Sequence, residues 1–217
     1  EDEAHFLDNL STVVFNGAAD QYILNSDPLE KFYDLKVAKT GGVLYLSAPV
    51  AIRHQLDLTQ RNLISTTANL LSLIAGSSVI NVSNSSFVYG PMQKIGNTDF
   101  PFPIGKGSYY RPATLTGITG GATSAFTVEY FNTDTWLDIG SANDAGLHHV
   151  SECEYWRIDR SANTPNAFVT LSWLDPASCG VTVLPDLRVA YWNGTLWQDR
   201  GNGGTTGNTT SGTVISS

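Results

Sequence analysis

The sequence predicts an all-β chain of two modules. The first is a short right-handed parallel β-helix over residues 1–96, the second an immunoglobulin-like β-sandwich over residues 97–217. Three observations lead there. Between Val13 and Val82 the apolar residues fall in short alternating triplets instead of at helical spacing. Beyond Gly90-Pro91 the strand candidates lengthen, and all 5 tryptophans lie in this half. Charged residues are only 15% of the chain, well below the usual quarter, as in β-rich extracellular proteins.

The first module rests on the triplets Leu35-Lys36-Val37, Leu44-Tyr45-Leu46, Val50-Ala51-Ile52, Leu56-Asp57-Leu58 and Leu71-Ser72-Leu73, followed by Val79-Ile80-Asn81-Val82. Period two puts Leu35 and Val37 on one face and Lys36 on the other. The connectors Asn25-Ser26-Asp27-Pro28, Lys39-Thr40-Gly41-Gly42 and Ala75-Gly76-Ser77-Ser78 carry turn chemistry. Short, evenly spaced strands with one apolar face suit a coil that winds around its own core and stacks on itself. A meander or sandwich is the competing account, but it prefers two-residue hairpins, and this half offers only Asn16-Gly17. The leucines between Leu63 and Ile74 also fit a short helix, which Thr66 and Thr67 disfavour.

The second module opens after Asp99-Phe100-Pro101-Phe102-Pro103-Ile104-Gly105, whose two prolines predict a stiff extended junction with neither helix nor central strand. Strand candidates follow at 111–118, 124–131, 154–160, 167–173, 187–192 and 196–198. Asn193-Gly194-Thr195 between the last two is a hairpin signal. About seven strands with buried tryptophans, Trp156 and Trp173 among them, fit the sandwich. Gly201 to Gly207 lacks the lysine and helix of a phosphate loop and reads as a flexible connection.

Charge and composition exclude several function classes. Lys plus Arg total 12 against Asp plus Glu 20, a net charge of -8, which rules against a protein that tracks nucleic-acid phosphates. No apolar run approaches the ~18 residues of a membrane span, so no membrane insertion is expected. Glu1-Asp2-Glu3 is the reverse of a signal peptide's basic start, as in a mature chain or a piece of a longer one. Cys153 and Cys179 form neither a zinc set nor a CxxC pair. In an oxidising compartment they make one disulfide, worth roughly 3–4 kcal/mol in the entropy model. The alternative is two buried thiols.

The order of several motifs resembles that in large surface proteins of Bacteroidetes. Phe15-Asn16-Gly17, Gln21-Tyr22-Ile23 and Phe32-Tyr33-Asp34-Leu35-Lys36-Val37 resemble their solenoid coils. Ser86-Phe87-Val88-Tyr89-Gly90-Pro91, Phe102-Pro103-Ile104-Gly105, Tyr110-Arg111-Pro112-Ala113, Glu154-Tyr155-Trp156, Leu171-Ser172-Trp173 and Trp192-Asn193-Gly194 continue the likeness over nearly the whole chain. The resemblance implies a stalk or adhesin role within long cell-surface or secreted polypeptides exported by type IX secretion, and it implies no chemistry. Members of that family run on past a Ser-Gly-Thr-Val segment into a further strand. Here the expectation is that this strand is absent, cleaved away or supplied by a neighbouring chain.

No GxSxG, HExxH, Walker loop or dinucleotide fingerprint is present. His148, His149, Glu152 and Glu154 are metal-ligand types, but strand neighbours point to opposite faces, which keeps both histidines off one ion. Asn132, Asp134, Asp138, Asn143 and Asp144 form an oxygen-rich loop suited to calcium, or to capping its own turns. No other cofactor is expected. A glycosidase needs two carboxylates facing one groove, and Asp20, Asp27, Glu30, Asp34 and Asp57 form no repeating column. For sugar binding without catalysis the candidates are Tyr109, Tyr110, Trp192 and Trp197, with Trp136 a further exposed ring. Trp192 and Trp197 equally suit a cross-strand pair that staples a hairpin. The expectation is a non-enzymatic structural or adhesive module of a larger bacterial surface or secreted protein. Its partners would be surface glycans or proteins and the neighbouring modules of its parent chain. The runner-up is a carbohydrate-binding module of a secreted polysaccharide-degrading enzyme.

Overall fold

Strict alternation of apolar and polar residues shapes the first half. A computed structural model describes residues 9–24 and 29–217. Asp27 with its predicted turn, and Glu1-Asp2-Glu3, lie outside the described residues. The chain passes through β1 (Thr12–Phe15), β2 (Gln21–Ile23), β3 (Glu30–Ala38), β4 (Leu44–Leu46), β5 (Val50–Gln60), β6 (Leu63–Ile64), β7 (Leu71–Leu73), β8 (Ser78–Ile80), β9 (Val88–Tyr89), β10 (Met92–Ile95), β11 (Phe100–Phe102) and β12 (Ile104–Lys106). On one side β1, β3, β5, β7 and β10 pair in parallel; on the other β2, β4, β6, β9 and β12 do the same. The result is a β-solenoid of about four turns. Inward residues stack in columns such as Val13–Leu35–Leu56–Val79 and Leu44–Leu63–Val88–Ile104. Leu35, Leu44, Leu56 and Leu63 are fully buried. The outward residues meet their own neighbours, and Lys36 lies 2.7 Å from Asp57 one rung on.

Two local expectations change. Val50-Ala51-Ile52 and Leu56-Asp57-Leu58 belong to one strand, β5, in which the pairing with β3 slips between Phe32–Ile52 and Asp34–Gln55. Such a bulge bends a strand, and β5 pairs with β7 in its first part and β8 in its second. The leucines from Leu63 onward form the strands β6 and β7, as expected over the helix that Thr66 and Thr67 disfavour. The proline-rich junction also contains strands. Pro101 sits in β11, an edge strand where a missing N–H is tolerated, and β12 starts directly after Pro103.

The second half comprises β13 (Tyr109–Tyr110), β14 (Ala113–Thr116), β15 (Ala125–Phe131), the single-turn helix α1 (Thr135–Asp138), β16 (Tyr155–Ala162), β17 (Phe168–Leu174), β18 (Ala190–Trp192), β19 (Trp197–Asp199), β20 (Gly204–Gly207) and β21 (Ser211–Ile215). A five-stranded sheet runs β11-β14-β17-β21-β20, and β18 and β19 form a separate hairpin. The opposing layer is borrowed. β15 pairs antiparallel with β10 and β16 with β15, so the solenoid's own sheet continues across residue 96. Parallel pairing likewise persists to Ile104–Gly105. Val50–Leu71–Met92–Val128 is therefore one column, and the main core passes from Leu35 to Phe102, Leu115 and Tyr130 without a break.

The glycine-rich segment is ordered where a loop was expected. Gly204–Gly207 is the edge strand β20, paired with β21, which carries the Ser-Gly-Thr-Val segment between β20 and β17. The lack of side chains is what permits this pairing. A Cβ on Gly212 would collide with the Trp173 ring and the Thr206 carbonyl, and one on Gly207 with the Ser211 carbonyl.

One interior column, Phe32–Ile52–Leu73–Lys94–Phe126, contains a lysine. Lys94 is 2% exposed, and its amine donates to the Ile74 carbonyl and, at 3.1 Å, to Ser77 Oγ. Burial pushes its pKa from 10.5 down to about 8. The unfolded chain then binds the extra proton between these values, so stability rises with pH across that window and the penalty is fully present below it. Relative to Lys94→Met, the native protein should gain up to about 3 kcal/mol between pH 8 and pH 10.5 in denaturant titrations. A difference that stays flat with pH would show that Lys94 titrates as it does in water.

Candidate functional site

Two segments far apart in sequence are held together beyond the end of the solenoid. Cys153 and Cys179 form a disulfide with Cα atoms 5.8 Å apart. Their neighbours Glu154 and Ser178 meet as well. Arg111 Nε donates to Glu154 Oε2 at 2.9 Å and Tyr130 OH to the same oxygen at 2.7 Å, while Ser178 Oγ donates to Oε1. Arg111 and Glu154 are 1% and 5% exposed, so the ion pair is dry. The guanidinium also reaches the carbonyls of Leu174 at 2.6 Å and Tyr110 at 3.3 Å, and Trp156 Nε1 donates to Arg111 O. Burial and the Glu154 charge push the Tyr130 hydroxyl's pKa up, fixing it as a donor. This cluster joins β13, β15, the start of β16 and the loop after β17, where Asp175-Pro176 is cis.

The same two segments wall a cleft of about 680 Å³. Trp156, Trp173 and Trp197 line it together with His148, His149 and Glu152, with Asp186 from the 3-10 turn after β17 and Arg188 two residues beyond. Every indole N–H is already used: Trp156 on Arg111 O at 3.1 Å, Trp173 on Asn208 O at 3.0 Å, Trp197 on Gly140 O at 2.8 Å. The tryptophans thus leave the cleft no free indole donor, and of the three only Trp156 is more than slightly exposed. His148 and His149 lie outside any strand, which removes the opposite-face argument. Their Nδ1 atoms are 2.9 Å apart, and the rings meet edge to face.

The other predicted residues fall into separate places. Tyr109 and Tyr110 form β13 at the end of the solenoid's second sheet, with Tyr110 stacked on Phe87 at 6.2 Å and Arg111 over Tyr109 at 5.7 Å. Burial raises the Tyr110 pKa. Trp192 and Trp197 belong to the β18–β19 hairpin, where they are cross-strand partners with centroids 5.5 Å apart. Trp197 is buried, and Trp192 rests against Gly140. The four rings therefore do not form one surface patch. Trp136 stands exposed on α1.

The oxygen-rich loop is occupied with its own backbone. Asp134 caps α1 through Trp136 N at 2.8 Å. Asp138 accepts from Thr133 Oγ1 and, at 3.2 Å, from Tyr155 OH, whose pKa is raised by burial and by that carboxylate. Asp144 accepts from Gly146 N and Asp199 N, Asn132 Oδ1 lies 3.3 Å from Tyr130 OH, and Asn143 Nδ2 donates to Leu147 O. Among the described residues no group of three or more His, Cys, Asp or Glu side chains is placed to hold a metal ion. Along the solenoid, Asp34 pairs with His54 at 2.7 Å, and Asp20 accepts from Val43 N. Burial opposes ionisation of Asp57, but hydrogen bonds from Lys36, Asn81 and Thr59 outweigh it and lower its pKa. Also among the described residues, no helix is long and apolar enough to cross a membrane.

No family model, curated protein or solved structure matches the chain.

Sequence reasoning missed Trp156, Trp173, Asp186 and Arg188 as cleft residues. The usable signal was the cysteine pair, because bonding Cys153 to Cys179 forces the segments around them together. Glu154→Ala should cost about 3–5 kcal/mol, since it leaves the Arg111 guanidinium buried and unpaired. Reduction of the disulfide should lower the melting temperature by roughly 10 °C. A loss under 1 kcal/mol for Glu154→Ala, or a melt indifferent to reductant, would show that these contacts do not clamp the two segments.

Proposed function

We propose that the chain is a non-enzymatic structural and adhesive segment of a larger bacterial cell-surface or secreted protein. One observation carries this reading: the solenoid's sheet runs unbroken from β1 through β10 into β15 and β16. A rod whose end module shares its sheet has no hinge at the junction, so it projects that module at a fixed orientation and transmits load through the hydrogen-bond ladders. The disulfide supports an oxidising, extracellular location. The motif order shared with Bacteroidetes surface proteins supports type IX export and neighbouring modules as partners. The two facing layers over one core support an immunoglobulin-like reading of the C-terminal part, with its second layer contributed by the solenoid. The tryptophan-lined cleft favours the second reading, a carbohydrate-binding module of a secreted enzyme.

Protease shaving of intact cells of the producing organism, followed by detection of an epitope inserted in this segment, tests the location. The epitope should be lost while cytoplasmic markers survive, or be found in the medium. Retention behind an intact membrane would contradict the proposal.

A further inference from the structure

We propose that the cleft beside the Cys153–Cys179 disulfide binds a neutral saccharide. The assignment rests on the adhesive part of the reading above and names what would be held. A volume of about 680 Å³ falls within the usual range for a small-ligand site, ~300–1,000 Å³. Trp156 is half-buried and held by its own N–H bond, so its ring offers the apolar carbon on which the C–H face of a pyranose can stack. The buried indoles of Trp173 and Trp197 back the wall behind it.

The rim supplies the polar half. With Nδ1 of His148 2.9 Å from Nδ1 of His149, one ring carries the shared proton and the other accepts it. In the neutral pair the two Nε2 atoms then hold opposite roles, one acceptor and one N–H donor. That combination matches a pair of neighbouring hydroxyls, each able to give and to take a hydrogen bond. The Glu152 carboxylate at the same rim has no ion pair or hydrogen bond among the described residues, which leaves it to accept from a further hydroxyl.

Charge excludes acidic occupants. Glu152 and Asp186 outnumber Arg188 at the rim, and the chain carries -8 overall, so acidic sugars are repelled.

The test is a glycan array carrying neutral hexose, pentose and N-acetylhexosamine oligomers beside uronic and sialic acid glycans, probed with the full chain. Saturable binding to at least one neutral glycan is expected. His149→Ala and Glu152→Gln should each weaken it about tenfold or more without moving the melting temperature. Tyr22→Ala, on the first solenoid coil, should leave affinity unchanged. A blank among neutral glycans, binding confined to acidic ones, or affinity indifferent to both cleft substitutions would overturn the proposal. A surface-exposed protein with a blank array loses the saccharide site alone. A glycan binder retained inside the cell loses the surface reading alone.

Discussion

A parallel solenoid ends in a row of unpaired amides and an open cross-section of its core, and the pairing of β10 with β15 closes that end here. The match is made rung on rung: Met92 opposite Val128, Lys94 opposite Phe126, Ile95 opposite Ala125. The antiparallel strand thereby continues columns that parallel strands began, and the core passes from coil to cap along them, apolar but for the buried Lys94. Everything beyond depends on it. β16 needs β15 as its partner, and the five-stranded sheet packs over Phe126, Val128 and Tyr130 as the floor of the shared core.

The cap is also secured by polar contacts. Arg111, Tyr130, Glu154 and Ser178 form a buried network in which both carboxylate oxygens of Glu154 are satisfied. Such a pair gains little over a well-packed apolar group, but it fails badly when one member is removed. It therefore specifies which segments meet. The disulfide ties the neighbouring residues on both sides, so the two devices hold one contact. That contact sets the walls of the cleft, and the ligand surface is a consequence of how the solenoid is finished.

Much of the solenoid was legible because period two is a local signal. Leu35, Val37, Leu44 and Leu46 all point inward as the alternation requires, and Lys36 meets Asp57 on the outer face. What the local pattern lacked was any sign of which strands would share a sheet. Strand candidates at 124–131 and 154–160 read as parts of an independent sandwich, yet the first pairs with β10 of the last coil and the second extends the same sheet by pairing with the first. The bulge that merges Val50–Gln60 into one strand depends on β3, 20 residues earlier along the ladder at Phe32 and Ile52. Gly204–Gly207 read as a loop because strand signals are side-chain signals, whereas this strand forms because Gly207 and Gly212 have none. The cleft was hardest to foresee. His148, His149, Glu152 and Glu154 were visible as a cluster, but Trp173 reaches the cleft from β17 of another sheet and Asp186 from the 3-10 turn beyond it.

Native-state hydrogen exchange addresses the shared sheet most directly. The protection of amides in β5 would be compared with that of amides in β15, under conditions where exchange reports equilibrium opening. If β10 and β15 join solenoid and cap into one cooperative unit, the slowest amides of both strands give the same opening free energy within about 1 kcal/mol. They also lose it together as denaturant is added. Opening energies that differ by several kcal/mol, with β15 exchanging through a separate, weaker transition, would contradict a common core and return the cap to the status of an independent domain.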